Sequence, residues 1–297
     1  MNKPIYGGQA VIEGVMMRSK KHMTIAVRLE NGKIKIKREK VFQRTSKLSK
    51  AKFIRGAVML WDVSKDGMRA LTWSANQQLA DDEEEAESGG LFAILTTLFS
   101  FMIAIGLFKA LPFAIAKLVE TSNTFIFNFV DGIITLFMLI GYILVISLSK
   151  DIRRVWQYHA AEHKAIACYE AGKKLTAKNA QKFRKEHPRC GTNFLFIVVA
   201  TSFLIYLFIP LTFAWYANFA LRLLLLPVIG GVAYEVIQWT NKRQNWFTKF
   251  VNSPGMFMQK LTTYEPDLDQ LEVGCKSLQE LIKIEKGKIS VYEALLD

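Results

Sequence analysis

Two histidines four residues apart, with a glutamate between them, are the most pointed chemical signal in the chain. They lie in Tyr158-His159-Ala160-Ala161-Glu162-His163-Lys164. On a helix, residues i and i+4 sit one above the other on the same face. Two imidazoles at that spacing can hold one metal ion between them. A glutamate beside them can take a proton from a water that the ion acidifies. Asp151 to Gly172 reads as the helix that carries them, rich in Ala, Glu and Lys, with Gly172 at its stop. A catalytic zinc site needs a third protein ligand and an open position. His187 and Cys190, in His187-Pro188-Arg189-Cys190-Gly191-Thr192, are two candidates, and Glu235 is another. The expected cofactor is a divalent metal, and the nitrogen and sulfur donors favour zinc. Glu162 is the expected catalytic base. Two competing readings remain open. The histidines are surface residues of a helix, or Cys190 is a nucleophile activated by His187.

The elements around these residues are set by composition. Of 297 residues, 51% are apolar, 21 are Phe and only 7 are Pro. This excludes a disordered chain. Three cysteines, Cys168, Cys190 and Cys275, exclude a disulfide-stapled scaffold. Met1 to Ala10 shows no apolar signal-peptide core. Four apolar runs are long enough to cross a bilayer: Leu91 to Phe108, Phe125 to Leu148, Phe194 to Tyr216, and Phe219 to Trp239. The first is expected to end at Lys109 and Pro112. Asp131 lies in the second run, and Arg222 and Glu235 in the fourth. Intramembrane charges are costly and seek partners. Asp131 and Arg222 are expected to form a structural ion pair.

The basic residues set the direction. Thirty-six of 39 Lys and Arg lie in residues 1–90, 149–193 and 240–297. Four spans put those three segments on one side, which the positive-inside rule makes the cytoplasm. The fold expected is therefore a mainly α membrane protein. Residues 91–148 hold the first two transmembrane helices and 194–239 the other two. Residues 1–90, 149–193 and 240–297 are cytoplasmic, with both termini inside. The net charge of +13 then marks the cytoplasmic face and its anionic headgroups, with no nucleic-acid partner required.

Residues 1–43 read as a small β unit. Thr24 to Leu29 and Lys33 to Lys37 alternate, and Asn31-Gly32 supplies a tight hairpin turn. Ahead of them, Gly7 to Arg18 reads as one apolar strand. It carries Glu13, which faces either an edge or a site. Residues 48–79 read as an amphipathic helix, or a pair broken near Gly67, lying in the lipid interface or against the β unit. Asp81 to Glu87 holds six acids and reads as a solvated linker. In the tail, Pro266 opens a helix with a leucine stripe.

Gly7-Gly8-Gln9-Ala10-Val11-Ile12-Glu13-Gly14-Val15-Met16-Met17-Arg18, the two histidine motifs and Leu261-Thr262-Thr263 together resemble the YqhQ-like family of bacterial membrane proteins of unknown function. Its members carry the label predicted metal-dependent enzyme. The resemblance covers nearly the whole chain. It implies a multi-pass protein of the bacterial cytoplasmic membrane with a metal. A likeness to inverzincin peptidases covers only the five residues of H-x-x-E-H. Three functions follow as expectations. The first is a metal-dependent hydrolase at the cytoplasmic membrane surface. The second is a non-catalytic scaffold or insertion-accessory factor that meets a ribosome, a translocon or anionic lipid. The third is an oligomeric transporter built on Asp131, Arg222 and Glu235. A protein partner in the membrane or a second copy of the chain fits each of them.

Overall fold

The computed structural model describes residues 4–41, 51, 54–78, 90–211, 214–243, 245–289 and 291. Four strands open it: β1 (Gly7–Val11), β2 (Gly14–Arg18), β3 (His22–Arg28) and β4 (Ile34–Lys40). They pair antiparallel in chain order. The single strand expected over Gly7 to Arg18 is two strands. Val11 pairs with Gly14, and the chain turns through Ile12 and Glu13. Glu13 has a φ of +53°. Its carboxylate is held by Arg154 and by the Tyr158 hydroxyl at 3.2 Å, which fixes the turn. The Asn31-Gly32 turn joins β3 to β4, with Gly32 at a φ of +80°.

The sheet is covered on both sides. Val15, Met17 and Ala26 face the helices α5 (Lys150–Glu170) and α11 (Leu268–Glu285). Val11, Met16, Met23, Ile25 and Val27 face Ala70 and Trp73 of α1 (Ile54–Asn76). Burial on both faces explains why β2 and β3 read as apolar runs. α1 runs unbroken through Gly67, where Gln9 donates to the Gly67 carbonyl at 3.1 Å. Lys47, Lys50, Lys52 and Phe53 of the expected amphipathic helix, and the acidic run Asp81 to Glu87, lie outside the described residues. α11 opens with a capping box between Asp267 and Gln270.

The apolar half differs from four plain spans. α2 (Gly90–Ile105) does not end near Lys109. It continues through a wide turn at Gly106–Ala110 into α3 (Leu111–Lys117). Pro112 cannot donate a helical hydrogen bond, and a wide turn just ahead of it lets the helix carry on. Leu95–Lys117 and α4 (Thr124–Ile146) are each long and apolar enough to cross a membrane. The third run forms α7 (Gly191–Tyr206), which has only 16 residues. The fourth is α8 (Trp215–Leu224) and α9 (Leu226–Lys242), bent by 40° where Pro227 opens the second piece. Among the described residues, two helices, or three if the bent pair counts as one, therefore meet the length and composition of a span. Two further helices lie among the described residues, α6 (Ala177–Ala180) and α10 (Trp246–Thr262).

Asp131 and Arg222 meet where α4 and α8 pack. Arg222 donates to Asp131 at 2.7 Å and to Asn218 at 2.8 Å, and also bonds Asn128. Its guanidinium lies over the Tyr206 ring at 4.8 Å and the Phe113 ring at 5.1 Å.

Candidate metal centre

α5 stacks its two histidines as the i, i+4 spacing requires. The ring centroids of His159 and His163 are 4.5 Å apart. Main-chain carbonyls from two other segments orient them. His159 Nδ1 lies 3.1 Å from the Thr262 carbonyl at the end of α10. His163 Nδ1 lies 2.5 Å from the Lys185 carbonyl. A carbonyl only accepts, so each Nδ1 carries the proton and each Nε2 presents a lone pair. This is the outer-shell arrangement that fixes tautomers at metal-binding histidines. His159 Nε2 lies 3.1 Å from Cys190 Sγ. His163 Nε2 is buried with no hydrogen-bond partner among the described residues.

Cys190 is brought in as the N-cap of α7, where its sulfur accepts from the Thr192 N–H at 3.3 Å. The donor atoms of His159, His163 and Cys190 all lie within 4.8 Å of one another. Tetrahedral zinc with ordinary bond lengths needs donor separations of roughly 3.5 Å, so small side-chain rotations close the set. Two imidazole nitrogens and one sulfur are donors of the kind that zinc and copper take, and three of them leave a fourth position open.

Glu162 borders this triangle. Its nearer oxygen is 3.5 Å from His163 Nε2. Burial pushes its carboxyl above the ordinary range, against the pull of His159, His187, Arg189 and the Gly8 N–H. Burial pushes His163 and His187 down, so both are neutral at neutral pH. The Gly-rich run serves this glutamate. A Cβ on Gly8 would lie 2.4 Å from the Met16 carbonyl and 2.9 Å from Glu162 Cγ. Only glycine lets β1 approach α5 closely enough to donate its N–H. Gly8→Ala is therefore expected to cost about 1–3 kcal/mol through overpacking. A chemical melt of the variant beside wild type measures this, and an unchanged midpoint would contradict the contact.

His187 stands beside the triangle rather than in it. Its ring centroid is 5.7 Å from that of His163. Its Nδ1 accepts from the Arg189 N–H at 3.4 Å, and Nε2 lies 3.6 Å from Glu170. Gln259 of α10 clamps its backbone, accepting from the His187 N–H at 2.8 Å and donating to its carbonyl at 2.9 Å. Together His159, Glu162, His163, His187, Arg189 and Cys190 line a cavity of about 90 Å³. Glu235 is elsewhere, on α9, in an ion pair with Arg55 of α1. Glu13 docks the β1–β2 turn on Arg154 and stays out of the cavity. Sequence reasoning did not reach Thr262, Lys185 or Gln259. Lys185 and Thr262 act through main-chain carbonyls, to which residue type gives no clue.

A mainly helical chain, with an N-terminal sheet packed on the helix that bears two members of a His-His-Cys triangle in which His163 and Cys190 are buried and His159 is half-buried, defines the class. Within it the chain belongs to the family described as "Protein of unknown function (DUF1385)", whose model matches residues 52–284. It is similar to the "Uncharacterized protein YqhQ" of Bacillus subtilis (strain 168), with 35% identity over 301 residues, covering 95% of this chain and 93% of that one. No solved structure matches it.

Proposed function

We propose that this chain is a metal-dependent hydrolase of the bacterial cytoplasmic membrane, with its centre at the cytoplasmic surface. His159, His163 and Cys190 hold a divalent metal, most simply zinc. The observation that carries the reading is the buried Nε2 of His163, which makes no ordinary hydrogen bond among the described residues and lies beside two further donors and the Glu162 carboxylate. A buried polar atom left unpaired costs stability, and a ligated ion removes that cost. When bound, the ion supplies Lewis-acid chemistry and acidifies a water. Glu162 would serve as the general base of that chemistry, holding a proton on its carboxylate and delivering it to the leaving group. The Gly8 N–H keeps the carboxylate aimed, and burial brings its proton affinity nearer to neutral. The Thr262 and Lys185 carbonyls keep both imidazoles in the ligating tautomer. The four-pass arrangement with both termini inside is part of this reading, supported by the distribution of Lys and Arg.

The test is Glu162→Gln in the full chain in nanodiscs, assayed on chromogenic ester, phosphoester and peptide panels. The expected result is metal content within twofold of wild type and turnover lower by about 10²–10⁴-fold. Turnover equal to wild type, or no turnover by wild type across the panels, would overturn the hydrolase.

A scaffold role has one specific observation in its favour. A groove beside the edge strand β4 is lined by Lys33, Lys35, Lys37, Lys40, Arg69 and Lys283. A stable membrane partner retained by a His159→Ala/His163→Ala chain would favour that role. The transporter reading has no such support, since Asp131, Arg222 and Glu235 are all engaged in ion pairs.

A further inference from the structure

Helix α10 is amphipathic in the reverse sense to a helix on a soluble surface. Its exposed side is aromatic: Trp246 is 78% exposed, Phe250 69% and Phe257 62%. At 3.6 residues per turn these three fall within about 40° of one another around the axis. Its buried side is polar, with Thr248, Asn252, Gln259 and Thr262. These four lie on the opposite side of the helix, centred about 180° from the aromatic stripe. A soluble helix turns its apolar stripe inward and its polar residues outward.

The polar face is fully employed. Gln259 clamps the His187 backbone, Thr262 orients His159, and Asn252 accepts from Asn193 of α7 at 3.0 Å. Gly255 makes that packing possible, since a Cβ there would lie 1.9 Å from Asn193 Oδ1. The inward orientation is therefore fixed by contacts, and the aromatic side must face outward. The helix adjoins the apolar bundle: Met258 packs with Leu139 and Ile143 of α4. Lys249 and Lys260 flank the aromatic stripe on one side, about 60–80° from its centre. Lys260 lies over the Phe257 ring at 5.5 Å.

We infer that α10 is a membrane-surface helix, its Trp246–Phe250–Phe257 face set into the acyl boundary and its lysines at lipid phosphates. An outward aromatic stripe with basic flanks beside apolar spans is the composition of an in-plane interfacial helix, and long basic side chains reach from such a helix to the headgroups. The inference does not depend on metal binding. It gives α10 two jobs, since the helix that contacts lipid also carries the carbonyl that orients His159.

The experiment uses the full chain in vesicles of phosphatidylcholine and phosphatidylglycerol. Phe250→Cys and Phe257→Cys are labelled separately with an environment-sensitive fluorophore. The native Cys168, Cys190 and Cys275 are all buried, which favours the introduced thiol. Lipids with a nitroxide at a shallow acyl position are expected to quench both labels at least about twofold, with aqueous iodide nearly without effect. Lys283→Cys, in the sheet-packed helix α11, is expected to show the reverse. Trp246 provides a label-free check. The emission lost in Trp246→Phe is expected to belong to the fraction that brominated lipid quenches in wild type, so the variant's remaining emission is quenched proportionately less. Iodide quenching at both phenylalanine positions without nitroxide quenching would overturn the inference. So would protection from both quenchers, which would mean that protein covers the stripe.

Discussion

His163→Ala is expected to arrive from purification with less than about 0.1 metal per chain, while wild type prepared beside it carries about one. Loss of an outer-shell contact at a metal site typically costs 10–100-fold in affinity, and loss of a direct donor costs more. The remaining pair, His159 and Cys190, already sit 3.1 Å apart and close on each other once the third donor is gone. His187→Ala and Glu235→Gln are expected to keep their metal, because His187 Nδ1 is occupied by the Arg189 N–H and Glu235 by Arg55. Elemental analysis of the four proteins is sufficient. Equal content in wild type and His163→Ala, or less than about 0.2 per chain in wild type, removes the metal centre from consideration.

Arg222→Ala carries the largest expected loss of stability. It removes the hydrogen-bonded partner of Asp131, leaving it only the charge of Lys109 nearby, and removes the partner of the Asn128 and Asn218 side-chain oxygens in a buried cluster. Breaking a buried ion pair from one side typically costs about 3–5 kcal/mol, because the remaining charge is uncompensated. Replacing both partners with apolar residues of similar volume is expected to recover most of that loss. Denaturant unfolding in mild detergent of Arg222→Ala, Asp131→Leu and Arg222→Met/Asp131→Leu forms the comparison. If the single Arg222→Ala change costs under about 1 kcal/mol, the pair is not structural.

The histidine pair was legible because i, i+4 spacing on a helix fixes side-chain geometry without reference to the rest of the fold. Cys190 and His187 were legible only as alternatives. Two residues three apart in a loop present different faces, and the N-cap position of α7 decides which one enters. Glu235 carried the signal of a costly charge in an apolar run. That signal does not reveal whether the partner is a metal or, as the fold has it, Arg55. The approach of Gly8 to the Glu162 side chain is a tertiary fact that a Gly-Gly pair opening an apolar strand does not disclose. The turn at Ile12 and Glu13 was missed because those residues are not turn formers. Arg154 and Tyr158, more than 140 positions away, hold it. The break between α8 and α9 had a visible cause in Pro227, masked by the continuous hydropathy on both sides.

The tether from His159 to the Thr262 carbonyl spans 103 residues of chain. During translation, then, the first histidine leaves the ribosome long before the acceptor that sets its proton. The chain must be made through α10 before that contact can form, so the metal proposed for this pair would be loaded only after residue 262 has been added. A chain truncated before residue 262 lacks the carbonyl that orients His159.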